Sequence, residues 1–272
     1  MPANLGQGER QAADIPASIS LSNFSREDLP VATGAGWQLV GRDAVRKEYG
    51  ESAGQTKCVN LEQGMMSKTK YKAVIFDLYT ALLDSWSLWN RIAGEAELGA
   101  VWRKKYLELT YQAGHYRSYD EIIHEAAREV GLTSNRAAAL IQAWSTLEPW
   151  PETRQVVGAV SERVPIAVAT NSSIELAEIA VATLGVESPI VVTAEESGYY
   201  KPQPQTYRLA LARLGLQAEE VLFVAGSASD VPGAINVGMP VYWHNRIHQR
   251  PANESIKPKY ELDSLLPLLE LV

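Results

Sequence analysis

The segment Lys72-Ala73-Val74-Ile75-Phe76-Asp77-Leu78-Tyr79-Thr80 decides the fold of this chain. Residues 73–76 form a short, continuous apolar run, which is typical of a strand buried on both faces of a parallel sheet. The run ends at Asp77, so the sequence predicts a carboxylate at the C-terminal end of a central strand. Because doubly wound sheets bind ligands at that end, Asp77 is the first candidate site residue.

Downstream of Pro151, apolar strand runs alternate with amphipathic helical segments. The predicted strands are 166–169, 190–193, 221–225 and 241–243, and the predicted helices are 152–163, 174–184, 205–214, 230–237 and one from residue 264 onward. Repeated βα units of this length predict an α/β fold with a doubly wound, Rossmann-like parallel sheet.

The chain between the first strand and Pro149 contains no comparable strand run. Amphipathic patterns over 102–111, 119–130 and 134–144 instead predict helices, so this stretch is expected to be an inserted helical cap. The predicted domains are a poorly ordered extension (1–66), a core (67–82 and 150–272) and a cap (83–149). Within the extension, a short helix over 45–51 is expected, and Met66 is a candidate start of the native protein.

The composition excludes several classes of protein. The chain carries 32 Asp and Glu against 25 Lys and Arg, a formal charge of −7, and has no basic run that could follow a phosphate backbone, so nucleic acid is excluded as a partner. No apolar run approaches the roughly 20 residues that span a bilayer, so no membrane partner is expected. Cys58 is the one cysteine in the sequence, which is consistent with a reducing, cytoplasmic setting. His244 and His248 lack a third metal ligand nearby and are expected to be exposed loop residues.

Four short segments at predicted strand ends and helix starts carry the candidate chemistry. They are Asp77-Leu78-Tyr79, Thr170-Asn171-Ser172, Lys201-Pro202 and Gly226-Ser227-Ala228-Ser229-Asp230. In this order they resemble the four motifs of the haloacid dehalogenase superfamily. The resemblance implies that Asp77 is a nucleophile that forms an ester with the substrate. It also implies that Thr170 donates a hydrogen bond to a substrate oxyanion, that Lys201 keeps Asp77 ionised, and that Asp230 anchors Lys201.

Two segments narrow the resemblance to L-2-haloacid dehalogenases. Phe76-Asp77-Leu78-Tyr79 is similar to their first motif, and Trp102-Arg103-Lys104-Lys105-Tyr106-Leu107-Glu108 is similar to a segment of their cap. The resemblance implies that Arg103 faces Asp77 and receives the leaving halide, and that the protein acts on a small anionic substrate. The substrate-binding residues it implies are Tyr79, Thr170, Asn171, Tyr207 and Ser227, with Trp86, Trp89 and Tyr111 as candidate walls of the pocket. A homodimer is expected by the same analogy.

The motifs also indicate whether the site holds a metal ion. Magnesium-dependent phosphatases of the superfamily carry acidic residues where this chain has Tyr79 and Gly226. Since phosphoryl transfer relies on cations to neutralise phosphate charge, their replacement favours a site without metal or other cofactor.

Several positions depart from the dehalogenase pattern and leave alternatives open. Thr80-Ala81 replaces Gly-Thr, and Ala225-Gly226-Ser227 replaces Ser-Ser-Asn, although the hydroxyls of Thr80 and Ser227 could compensate. The leading hypothesis is dehalogenation of a small 2-haloalkanoic acid. The alternatives are hydrolysis of a phosphate ester or a strained C–N bond, and non-catalytic binding of a small acid.

Overall fold

A computed structural model describes residues 28–33, 36–41, 70–186 and 189–272. The chain divides into two compact units, 1–66 and 67–272. In the first unit, strands β1 (Asp28–Thr33) and β2 (Gly36–Gly41) pair antiparallel. The sequence predicts no strand there, because neither segment is a continuous apolar run. The helix predicted over 45–51 and the candidate start at Met66 lie outside the described residues.

The second unit is built on a six-stranded parallel sheet with the order β5-β4-β3-β6-β7-β8. Its strands are β3 (Ala73–Phe76), β4 (Ile166–Thr170), β5 (Ile190–Thr193), β6 (Val221–Ala225), β7 (Val241–His244) and β8 (Tyr260–Leu262). Its α-helices are α1 (Ser85–Ala93), α2 (Ala96–Ala113), α3 (Tyr119–Glu129), α4 (Ser134–Gln142), α5 (Thr153–Ser161), α6 (Ile174–Ala182), α7 (Ala194–Ser197), α8 (Pro204–Leu214) and α9 (Asp230–Asn236). The strand order reverses direction at β3, which confirms the predicted doubly wound α/β fold and places Asp77 at the switch point.

The central strand is buried on both faces, as its continuous apolar run predicts. Val74 and Phe76 pack into one apolar cluster, while Ala73 and Ile75 pack into a second cluster on the opposite face. The first cluster extends into helices α1 to α4, where it includes Trp89. Sheet and cap therefore share one continuous apolar core.

The predicted elements of the second unit differ from the structure at several places, and the four-residue helix α7 is one element that was not predicted. Helix α1 has no counterpart in the prediction, although Asp84 caps it by accepting a hydrogen bond from the amide of Ser87 (3.0 Å). Strand β8 was also missed, because its three residues include two exposed ones and form no apolar run. The predicted C-terminal helix is a single 3₁₀ turn over Leu266–Glu270, in which Pro267 has no N–H to donate. None of the described helices is long and apolar enough to cross a membrane.

Helices α1 and α2 form a tight hairpin that begins the cap. Gly94 ends α1 in the left-handed conformation, with φ +90°. Gly99 lies where α2 crosses α1, and a Cβ atom there would come within 2.4 Å of the Asn90 Cα atom. Because main-chain atoms cannot move aside as the end of a side chain can, this crossing requires glycine at position 99.

We expect Gly99→Ala to lower the free energy of unfolding by about 1–3 kcal/mol, since the added methyl must push two helix backbones apart. Gly158→Ala in α5 is the matched control, because no atom lies within 4 Å of the Cβ that it would add. That control should be neutral or stabilise by about 0.5–1 kcal/mol through better helix propensity. Urea denaturation measures both, and equal effects of the two substitutions would contradict the close crossing.

Candidate active site

A small cavity opens at the C-terminal end of β3, between the sheet and the cap. Its volume is ≈ 40 Å³. On the same scale, one water molecule needs about 10–15 Å³. Seven of the nine predicted site residues line it, namely Asp77, Tyr79, Arg103, Asn171, Lys201, Ser227 and Asp230. The remaining lining residues are Thr80, Trp86, Tyr106, Leu107, Tyr111, Tyr119 and Gln249. The motifs thus converge as their order at successive strand ends predicts.

The Asp77 carboxylate is buried and held at both oxygens. The main-chain amides of Thr80 and Ala81 each donate to its Oδ2 atom at 3.3 Å. The Lys201 ammonium donates to its Oδ1 atom at 2.9 Å. The carboxylate is therefore fixed in orientation, with a cation beside it.

Lys201 lies between two buried carboxylates. Its Nζ atom also donates to Asp230 Oδ2 at 2.9 Å, and Tyr207 donates its hydroxyl hydrogen to Asp230 Oδ1 at 2.9 Å. Burial would lower the pKa of Lys201, but Asp230 and Asp77 outweigh it and hold that pKa above the ordinary value. Tyr207, predicted to bind substrate, does not line the cavity and instead supports Asp230.

Arg103 reaches the cavity from α2 and is 5% exposed. Its guanidinium donates to the Thr80 hydroxyl oxygen at 2.9 Å and lies 4.5 Å from the centre of the Trp86 ring. Burial lowers its pKa, with Tyr119, Tyr106 and Asp77 acting in the opposite direction. It forms no salt bridge with any described carboxylate. A buried cation without an ion-pair partner is costly, so this part of the cavity favours an anion.

Two further donors in this region lack acceptors. The Nε atom of Arg103 and the indole nitrogen of Trp86 are buried and have no hydrogen-bond partner among the described residues. Trp86 lines the cavity as predicted, and so does Tyr111. Trp89 does not; its ring packs edge-on against Trp102, with centroids 4.8 Å apart.

The residues after β4 position other parts of the site. The side-chain amide of Asn171 donates to the Lys201 carbonyl at 2.9 Å and accepts from the Lys201 amide at 2.6 Å, which clamps the lysine backbone.

Thr170, predicted to bind substrate, is fully buried outside the cavity lining, and its hydroxyl has no partner among the described residues. The hydroxyl of Tyr79 lies 2.6 Å from the Ser172 hydroxyl and accepts a hydrogen bond from Trp144 at 3.3 Å.

Gln249 is a site residue that the sequence did not reveal. Its side-chain nitrogen donates to the Gly226 carbonyl at 3.0 Å, and its side-chain oxygen accepts from the Ala228 amide at 3.3 Å. It thereby supports the loop that carries Ser227. Gln249 follows β7 in an irregular loop, where neither periodicity nor a motif marks it.

The prediction for His244 was wrong. His244 is fully buried at the end of β7, which runs one residue further than predicted, and only His248 is exposed. Its Nδ1 atom lies 2.7 Å from the Ala81 carbonyl oxygen, so Nδ1 carries the hydrogen. Burial lowers the pKa of His244, which favours the neutral ring. Among the described residues, no group of three His, Cys, Asp or Glu side chains is arranged to hold a metal ion.

Side chains from other elements bind the carbonyls of the loop that follows Asp77. Trp150 donates to the Thr80 carbonyl at 2.9 Å, and Thr153 donates to the Leu82 carbonyl at 2.9 Å. Ser85 donates to the Tyr79 carbonyl in the same manner. With His244 on Ala81, four consecutive carbonyls are bound, so the amides that face Asp77 Oδ2 are fixed in direction.

Close packing of the main chain explains why position 226 carries glycine and not an acidic residue. A Cβ atom there would lie 2.0 Å from the Ala81 amide nitrogen and 2.4 Å from the Thr80 carbonyl carbon. The backbone after Asp77 therefore occupies the space that a carboxylate side chain would need.

This fold and this arrangement of motifs are those of a known class of enzymes. The chain belongs to the haloacid dehalogenase-like hydrolases, whose family model matches residues 71–238. It is similar to (S)-2-haloacid dehalogenase 2 of Pseudomonas sp. (strain CBS-3), with 28% identity over 74% of this chain and 95% of that relative. It is also similar to haloacetate dehalogenase H-2 of Moraxella sp. (strain B), with 28% identity over 65% of this chain and 87% of that relative. A crystal structure of a dehalogenase with an intermediate complex superposes with a TM-score of 0.67 and 28% identity, covering 75% of this chain and 97% of the other.

We expect Lys201→Met to lower the free energy of unfolding by about 3–5 kcal/mol at neutral pH, because it leaves Asp77 and Asp230 buried without their cation. Burial already raises the pKa of Asp230 in the parent protein while Lys201 opposes this shift, so the pKa of that carboxyl rises further in the variant. Stability relative to the parent protein should therefore be lost progressively as pH rises from about 4 toward 7. Urea denaturation at both ends of this range measures the difference.

Lys72→Met is the matched control for this pH dependence. Lys72 pairs with Glu220 at the surface, and its side chain is 64% exposed. Loss of such a pair should cost no more than about 1 kcal/mol. A pH-independent deficit in Lys201→Met would contradict the assigned role of the ammonium.

Proposed function

We propose that this protein is a metal-independent (S)-2-haloacid dehalogenase that acts on small 2-haloalkanoic acids. One observation carries the proposal: the clamped Asp77 carboxylate lines the same small cavity as the buried Arg103 guanidinium, which has no ion-pair partner among the described residues. A carboxylate nucleophile and a cation for the departing anion are the two groups that displacement of halide needs. The similarity to an (S)-2-haloacid dehalogenase and to a haloacetate dehalogenase supports this assignment.

In the first step, an Asp77 oxygen attacks the α-carbon of the substrate. A C–O bond forms, the C–halogen bond breaks, and the halide leaves with the electron pair toward Arg103. Lys201, anchored by Asp230, keeps Asp77 ionised. Attack from the face opposite the halogen inverts the configuration at the α-carbon.

In the second step, water opens the ester at the Asp77 carboxyl carbon. The 2-hydroxy acid leaves with its C–O bond intact, Asp77 regains a water oxygen, and one proton is released. Negative charge develops on the ester carbonyl oxygen during this attack. With Oδ1 as the attacking oxygen, Oδ2 becomes that carbonyl oxygen, and the amides of Thr80 and Ala81 already face it. They would serve as an oxyanion hole.

The alternative of phosphate-ester hydrolysis has less support from the site. Tyr79 and Gly226 replace the acidic residues that such enzymes use, and the main chain of Thr80 and Ala81 leaves no space for a side chain at position 226. Non-catalytic binding of a small acid is distinguished from hydrolysis by the experiment below.

We expect the protein to release halide from (S)-2-chloropropionate and to yield the (R)-2-hydroxy acid, with undiminished turnover in the presence of a chelator. Asp77→Asn should abolish turnover, because an amide is a poor nucleophile. In a single turnover in H₂¹⁸O, the label should enter Asp77 and not the first product, as mass spectrometry can measure.

Asp263→Asn is the control for the charge change, since Asp263 is an exposed carboxylate outside the cavity. Absence of halide release by the parent protein would refute dehalogenation, and binding without turnover would favour the non-catalytic alternative. Inhibition by the chelator would refute metal independence.

The size of the cavity sets a limit on the alkyl chain. At ≈ 40 Å³, it leaves little room beyond a two- or three-carbon acid. We expect kcat/KM to fall by at least about tenfold from 2-bromopropionate to 2-bromohexanoate, a penalty within the range of overpacking a filled site. Leu107, which lines the cavity from α2, offers the test, because Leu107→Ala should recover much of the loss for the longer acid. An equal kcat/KM for both acids in the parent protein would contradict the limit.

We also propose a cytoplasmic location and a homodimer. The single cysteine, Cys58, is consistent with a reducing compartment, and the dimer is an analogy with similar dehalogenases. Light scattering after size exclusion measures the mass in solution and tests the dimer.

A further inference from the structure

We propose that Thr80 is a positioning residue that directs the Arg103 guanidinium toward the leaving group. This inference rests on the proposed function and assigns a role to a side chain outside the predicted site residues. It is carried by the contact between the Thr80 hydroxyl and Arg103, which joins the nucleophile loop to the cap.

The backbone of Thr80 is fixed relative to the nucleophile on both sides. Its amide donates to Asp77 Oδ2 at 3.3 Å, and its carbonyl accepts from the Trp150 indole at 2.9 Å. The residue is 4% exposed. Its hydroxyl is therefore held at a set position three residues from Asp77, and whatever binds that hydroxyl is held relative to Asp77 as well.

Arg103 has few other restraints on its orientation. The Trp86 ring at 4.5 Å restricts tilt of the planar guanidinium, but a flat aromatic face does not prevent rotation within the plane. Among the described residues, the Thr80 hydroxyl is the one acceptor recorded for its guanidinium, and its Nε atom has no partner. The Thr80 contact therefore sets the direction in which the remaining N–H groups point.

The test is the dependence of the alkylation rate on the leaving group. Chloride leaves less readily than bromide, so its departure depends more on stabilisation by Arg103. We expect Thr80→Val, which keeps the shape and removes the hydroxyl, to slow single-turnover alkylation by 2-chloropropionate about tenfold, the order of one hydrogen bond to a charged group. Alkylation by 2-bromopropionate should slow much less. Thr80→Ser, which restores the hydroxyl, should return both rates to near the parent values.

A double substitution separates positioning from general damage. In an Arg103→Lys background, where the planar fork is absent, Thr80→Val should have little further effect on the ratio of the two rates. An unchanged bromide-to-chloride ratio in Thr80→Val, or the same added effect in the Arg103→Lys background, would overturn the inference. Should Thr80→Val fold poorly, Thr80→Ala removes the hydroxyl with less bulk and carries the same expectation. An inactive parent protein would instead count against the proposed function, so the two failures are distinguishable.

Discussion

The contact on which the site depends is the single ammonium of Lys201 between the buried carboxylates of Asp77 and Asp230. Two carboxylates this close could not both stay ionised in a buried site without a cation between them. Each group comes from a different loop at the C-terminal edge of the sheet, so the charge balance also ties the loops after β3 and β6 to the lysine. Asn171 and Tyr207 complete this arrangement by holding the lysine backbone and the second carboxylate.

The loop after Asp77 shows how much structure one nucleophile requires. Its amides face the carboxylate, and its carbonyls are bound by side chains from α1, the segment before α5, α5 itself and β7. The loop also approaches Gly226 so closely that a side chain there is excluded. The main chain at Thr80 and Ala81 therefore has two effects. Its amides face Asp77, and its atoms fill the space that a metal-binding carboxylate at position 226 would need.

Much of the fold and part of the site could be predicted from the sequence, for a physical reason. Buried parallel strands need continuous apolar runs, so strands β3 to β7 were visible, and residues that follow such strands must meet at one edge. Asp77, Lys201 and Asp230 therefore converge as expected. The contacts of Thr80 with Arg103 and of Gln249 with Gly226 depend on how the cap and an irregular loop pack over that edge. No periodic pattern in the sequence reflects this packing. His244 was misplaced because a strand end shifted by one residue changes a loop side chain into a core one.

The apolar cluster that runs from one face of the sheet into the cap has a consequence for how this enzyme can be altered. A cap with its own closed core could be exchanged as a module, but Trp89 and Val74 belong to one packed interior, whose volume must be matched on both sides at once. Grafting a foreign cap onto this sheet would leave voids or overlaps along the whole boundary. New substrate ranges are therefore more accessible through single replacements around the cavity mouth than through recombination of whole domains.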